Sequence, residues 1–183
     1  MKKFVLTVLA LVAIAAPAAA QLGDLSAYAD QAGTSCNISD AAVGAVNVYL
    51  IHKHGGASAS QFGLELTGGA TLFPTGFNAA TGMLWLGTYP SDVSVSYGAS
   101  CVQGDFLIGT AGYFGQGTSP ACSRIRFVPA PTSVVPGSVA AVDCTAAFVA
   151  LPTGQGIINA DLTCQCDVPV NETTWGGVKA LYR

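Results

Sequence analysis

The two histidines of the chain stand two residues apart, in His52-Lys53-His54. In an extended strand such residues point to the same side, so the pair could offer two imidazoles to a metal ion. Catalytic zinc needs a third protein ligand and an open coordination position. No Glu, Asp or His follows nearby to supply one, and the run into Gly55-Gly56 reads equally as a solvated strand end. His52 and His54 are therefore metal candidates without a third ligand, and no cofactor is expected.

Nucleophilic chemistry finds no better footing. There is no G-x-S-x-G elbow, and a Ser-His-Asp triad would have to borrow one of the same two histidines. Glu65, Asp92, Asp105, Asp143 and Asp161 come singly among turn residues, not as the facing pair that glycoside hydrolysis requires. No D-x-D-x-[DN]-G loop offers a calcium site. Trp85, Tyr89, Tyr97, Tyr113 and Phe114 could form a sugar-stacking platform, yet such residues also fill sandwich cores with their polar ends at the rim. Core filling is the expectation. Asn37-Ile38-Ser39 and Asn171-Glu172-Thr173 fit the glycosylation sequon.

Sulfur carries the clearest signal. Cys36, Cys101, Cys122, Cys144, Cys164 and Cys166 make an even set, and in an exported chain an even set reads as three disulfides. The scattered spacing lacks the C-x-x-C pairs of zinc sites. The expected pairing joins Cys36 to Cys101 and leaves Cys122 and Cys144 for the two cysteines of "CQC".

Export itself is read from the first twenty residues. "MKKFVLTVLALVAIAAPAAA" has a basic start, an apolar run and an Ala18-Ala19-Ala20 ending, the pattern of a cleaved signal peptide. Its apolar stretch is too short for a membrane span. The remaining part carries five bases (Lys53, Arg124, Arg126, Lys179 and Arg183) against ten acids, a net charge of −5. No basic patch exists to neutralise phosphates, which excludes nucleic acid as a partner.

The elements that must position these residues are short. "AVNVYLIHK" and "QFGLELTG" alternate as strands, with "HGGASAS" read as a turn between them. "TLFP", "GMLWLGTY", "DVSVSYG", "DFLIGTAGYFG", "CSRIRFVP", "SVAAVDC", "AAFVAL" and "GIINA" follow, cut by Gly, Pro or Ser-Pro. Such punctuation predicts an all-β, antiparallel sandwich of about 8–9 short strands. "VPAPTSVVPG" (128–137) is expected to cross between sheets, its prolines barring it from a central strand. Short helical windows are confined to "DAAVGAV" near Asp40 and to the tail. Residues 21–168 form the domain and 169–183 a tail, in which Thr173 or Thr174 can cap a stripe of Trp175, Val178, Leu181 and Tyr182. Gly176-Gly177 weakens that helix.

The ending "PVNETTWGGVKALYR", with "SVSYGASC", "YFGQGTSPACSRIRFVPAP" and "INADLTCQCDVPV", resembles an uncharacterised group of exported bacterial β-proteins. That group ends in a TTWG-x-[IV]-K-A-L-Y pattern. The resemblance carries over no catalytic residue. It implies that Thr174, Trp175, Gly176, Lys179, Leu181 and Tyr182 belong to a portable signal read by export or surface-retention machinery. "GASASQFGLEL", after the first strand, is similar to cohesin-like and immunoglobulin-like sandwiches, a likeness of fold that implies no partner.

The expectation is a non-enzymatic secreted or cell-surface module for binding, adhesion or surface structure. It would meet an extracellular protein or glycan, with the periplasm as the other compartment open to it. The alternatives are a small secreted hydrolase and a pilus-type subunit completed by a neighbour's strand. "QLGDLSAYADQAG" alternates poorly as a donor strand for the latter.

Overall fold

A computed structural model describes residues 22–98 and 100–165. The signal segment, Cys166 and the tail residues Thr174, Trp175, Gly176, Lys179, Leu181 and Tyr182 lie outside the described residues. Among the described residues the chain forms eleven strands and no helix. These are β1 (Asp24–Tyr28), β2 (Asn37–Ile38), β3 (Val43–Thr67), β4 (Leu72–Ala79), β5 (Leu84–Thr88) and β6 (Asp92–Ser96). They continue with β7 (Val102–Gln116), β8 (Ser123–Val128), β9 (Ala140–Asp143), β10 (Phe148–Ala150) and β11 (Gln155–Ile158). The window near Asp40 runs straight into β3, because Val43, Val46 and Val48 favour the pleated surface over a helical turn.

β3 is a single strand of 25 residues and organises the whole molecule. The sequence reading split it at "HGGASAS". The chain instead bends there without turning back: His54 adopts φ +60° and the register with β7 shifts between His52 and Gly55. A bulge of this kind sharpens bend and twist while pairing continues on either side. Gly56 allows the Gln103 side chain to lie directly on the backbone at the bend. One strand thereby serves two layers.

In the first layer the early half of β3 pairs with β1 (Asp24↔Lys53 to Tyr28↔Tyr49) and with β7, which also holds β4. In the second layer the late half pairs with β6 (Ala59↔Ser96 to Phe62↔Val93), and β6 pairs with β5. The opposite edge of β3 holds β8 (Gly63↔Val128 to Thr67↔Arg124) and then β9 (Ala57↔Asp143 to Gln61↔Ala140). β11 flanks β8, and β10 flanks β9. Pairing is antiparallel apart from β11 with β2 and an isolated Leu25–Thr153 bridge. The 128–137 connection leads from β8 to β9. β8 and β9 lie end to end along one edge of β3, and the proline-rich segment loops out between them.

Alternation along each strand places Val48, Leu50, Ile108, Ala111 and Tyr113 of the first layer against Phe62, Val93, Val95 and Ile125 of the second, all fully or nearly fully buried. Phe77 meets Phe62 and Trp85 edge-on, at centroid distances of 6.4 and 5.4 Å, and so bridges the layers. Each fully buried side chain of this size contributes roughly 1.5–3 kcal/mol. Tyr97 and Tyr113 are core residues, and Trp85 and Tyr89 pack against the core. Phe114 faces outward opposite Phe73.

Two disulfides join Cys101 to Cys144 and Cys122 to Cys164, with Cα separations of 5.2 and 5.7 Å, and Cys36 is also disulfide-bonded. The expected Cys36–Cys101 pairing is not formed, and Cys144 is not bonded to the "CQC" segment; Cys122 is. Register explains the outcome. Ala57 pairs with Val102 on one side and with Asp143 on the other, which leaves Cys101 and Cys144 as neighbours. Ser123 pairs with Ile158, and the Cys122 N–H donates to the Asn159 carbonyl (3.3 Å), which leads the chain from β11 back to Cys122.

Candidate functional site

The bend in β3 separates the two histidines. His52 is completely buried, stacked on Phe106 (4.9 Å) and edge-on to Tyr97 (6.1 Å). Its Nε2–H donates to the Leu22 carbonyl at 2.7 Å, while Nδ1 is buried without a partner. Burial pushes its pKa below the ordinary value, against the opposing pull of the Leu22 hydrogen bond. His54 sits outside the core. Its Nδ1 lies 3.3 Å from Asp24 Oδ1, and its backbone N–H donates to Asp105 Oδ1 at 2.9 Å. Lys53 Nζ reaches Asp105 Oδ2 at 3.0 Å and lies 5.2 Å from the centre of the Tyr28 ring. Burial alone would raise the Asp105 pKa, but the His54 N–H and the Lys53 ammonium outweigh it and hold the carboxyl below its ordinary range. One imidazole thus belongs to the core and the other to a surface ion cluster.

His54, Asp24 and Ser26 do line a cavity of about 540 Å³, together with Arg126, Gln155 and Tyr28. Its connectivity is wrong for a nucleophile. Ser26 Oγ donates to Asp24 Oδ2 at 2.6 Å, and it is the other Asp24 oxygen that meets His54. A triad needs the imidazole between hydroxyl and carboxylate. Among the described residues the close group of metal-type ligands is Cys122, Asp161 and Cys164, two of which share a disulfide and so offer no thiolate.

The outer face of the second layer is different in kind. Two rows run across five strands in register: Leu84–Ser96–Ala59–Val142–Phe148 and Leu86–Ser94–Gln61–Ala140–Ala150. Uncharged, mostly small side chains form the floor, and Leu84, Leu86 and Phe148 rise at the edges. Leu84 and Leu86 are each 77 % exposed, and Phe148 is 63 % exposed. Val134, 54 % exposed, adds a further apolar wall from the segment between β8 and β9. The result is an apolar trough of about 330 Å³ whose lining includes no charged side chain. Its two rims are four strand spacings apart, roughly 19 Å between backbones.

Local sequence accounts for this shape. In β5, Trp85 turns inward to the core, so Leu84 and Leu86 must turn outward. In β6, Val93 and Val95 turn inward and leave the serines outside. None of the rim residues was singled out from the sequence. The available signal was an apolar residue at every position of "MLWL", more than a one-sided strand requires.

No family model and no curated protein matches the chain. Solved structures do match its fold. The cohesin module of a family 33 glycoside hydrolase from Clostridium perfringens aligns with a TM-score of 0.53 at 9 % identity, over 76 % of this chain and 98 % of that one. A type II cohesin domain from the cellulosome of Acetivibrio cellulolyticus aligns at 0.52 and 12 % identity, over 75 % and 95 %. A chain from a type I cohesin–dockerin complex of Clostridium thermocellum aligns at 0.50 and 11 % identity, over 76 % and 100 %. The chain has a cohesin-like β-sandwich fold.

Proposed function

We propose that this protein is a non-catalytic protein-binding module that docks a partner on the apolar trough of its second layer. The observation that carries the reading is the trough itself: four large apolar side chains held in solvent around a floor free of charge. Contiguous exposed apolar surface rimmed by polar residues marks interaction sites on soluble proteins. The C. thermocellum neighbour was solved as a cohesin–dockerin complex, so this kind of sandwich can serve as a receptor for another protein. A partner helix, about 10–12 Å wide with its side chains, fits between rims roughly 19 Å apart.

The reading extends to place and tail. The signal-like first twenty residues, the disulfides and the low charge support a secreted or cell-surface protein. The TTWG-type ending supports a role for the tail in export or surface retention. Deletion of residues 174–183 should then shift the protein between surface and medium; an unchanged distribution would remove that role.

The docking reading is tested by affinity capture from the source's own extracellular fraction, with wild type and a Leu86→Asp/Phe148→Asp variant. The expected result is a partner retained by wild type and lost, by at least about 30-fold in affinity, from the variant, since two buried unpaired carboxylates each cost about 1 kcal/mol or more. Equal retention by a variant with an unchanged melting temperature would overturn it.

A further inference from the structure

We infer that Gln61 is a positioning residue that fixes the wall of the trough supplied by Val134; this rests on the docking reading above. Val134 has no strand to hold it. It sits in the excursion between β8 and β9, which folds on itself through two turns (Ser133 N–H to the Ala130 carbonyl, Ser138 N–H to the Val135 carbonyl) and through Ser133 Oγ, which lies 2.8 Å from the Ser138 carbonyl. The excursion reaches the sheet through the Gln61 amide and through the Asp92 carboxylate. Gln61 Oε1 accepts from the Val134 N–H at 3.2 Å. Gln61 Nε2 donates to Thr132 Oγ1 at 2.8 Å and to Asp92 Oδ1 at 3.2 Å, and the Thr132 hydroxyl donates to Asp92 Oδ2 at 2.5 Å. Gln61 itself belongs to the floor, in the second cross-sheet row.

The bonding pattern selects an amide at this position. Its oxygen must accept from a backbone N–H while its nitrogen donates to a hydroxyl and a carboxylate, a combination Glu, Leu and Lys each lack. Asp92 supplies the complementary carboxylate from the end of β6, on the opposite side of β3 from the excursion. Exchanging the two groups, carboxylate at 61 and amide at 92, removes the facing charges and lets the amide nitrogen donate to the carboxylate; the Thr132 hydroxyl, with one proton, then serves one of two acceptors, so three of the four bonds return. Placing carboxylates at both positions removes two donors and sets like charges face to face.

Amide hydrogen exchange reads the clamp without any partner. In Gln61→Glu, exchange at residues 132–135 should rise by about tenfold or more, the scale of losing a hydrogen bond to a charged group. Amides of β3 paired with β7 should be unaffected. In Gln61→Glu/Asp92→Asn, exchange at 132–135 should return to within about threefold of wild type. Unchanged exchange in the single variant, or failure of the swapped pair to restore it, overturns the clamp. Capture that is indifferent to Leu86→Asp/Phe148→Asp overturns the docking reading while leaving the exchange result as it stands, so the two failures are told apart.

Discussion

His52 shows how one buried side chain makes the fold sensitive to pH. Its folded pKa is held below 6.5, the value expected in the unfolded chain. The unfolded state therefore binds the extra proton first. The stabilisation from keeping this ring neutral is complete above about pH 6.5 and is lost as pH falls from there toward the depressed folded value. Asp105 acts in a lower window, because its pKa lies below 3.8 in the fold and its contribution is lost only beneath that value. Chemical denaturation from pH 8 to 3 should thus show two descending limbs, the upper one absent in His52→Leu. A single limb below pH 4 in wild type would contradict this. The sequence showed two histidines at strand spacing; it did not show that Gly55 and Gly56 let the backbone bulge between them and send one ring into the core. Side-chain periodicity holds only while the pleat is regular, and bulges are set by packing on both sides of the strand.

Among the elements, β6 and β8 were legible because they bury alternate residues, and β5, β7 and β9 to β11 because each is an apolar run between Gly, Pro or Ser breaks. β3 was misread as two strands, since "HGGASAS" has turn composition and nothing local distinguishes a bend that stays paired from one that reverses. The edge of β3 explains the sulfur pattern as well. Cys101 and Cys144 meet because β7 and β9 flank the same residue, Ala57, a relation that no spacing along the chain could disclose. That bridge closes a separation of 43 residues, and on the chain-entropy account it stabilises by about 4 kcal/mol. Cys101→Ser/Cys144→Ser should lower the melting temperature by on the order of 10–15 °C. The loss from Cys122→Ser/Cys164→Ser should be similar, as it spans 42. Calorimetry on both variants checks this, and a change under about 3 °C in either would refute the entropic account for that bridge.

At the scale of the molecule, the two layers are joined by a core in which Phe62 lies at the centre, touching Phe77 and Phe127. Phe62→Ala should cost about 3–5 kcal/mol and be visible in every spectroscopic probe of unfolding. Gly23→Ala, by contrast, acts on backbone alone: φ is +74° and a Cβ there would overlap the Lys53 carbonyl oxygen. It should cost about 1–3 kcal/mol or more, measurable by urea titration. The all-β sandwich was readable from punctuation and alternation. The trough was not, because it arises from register: uncharged, mostly small residues from β6, β3 and β9 happen to fall in the same two rows between β5 and β10. The same register has a consequence for redesign. Val128 pairs with Gly63 and Ala140 pairs with Gln61, so the excursion departs and returns with only Phe62 between its two footholds. The tip, residues 131–137, is thus a cassette. Its length and composition can be rewritten and recognition retuned, provided that Ala130 and the core residue Val139 at its two feet are kept.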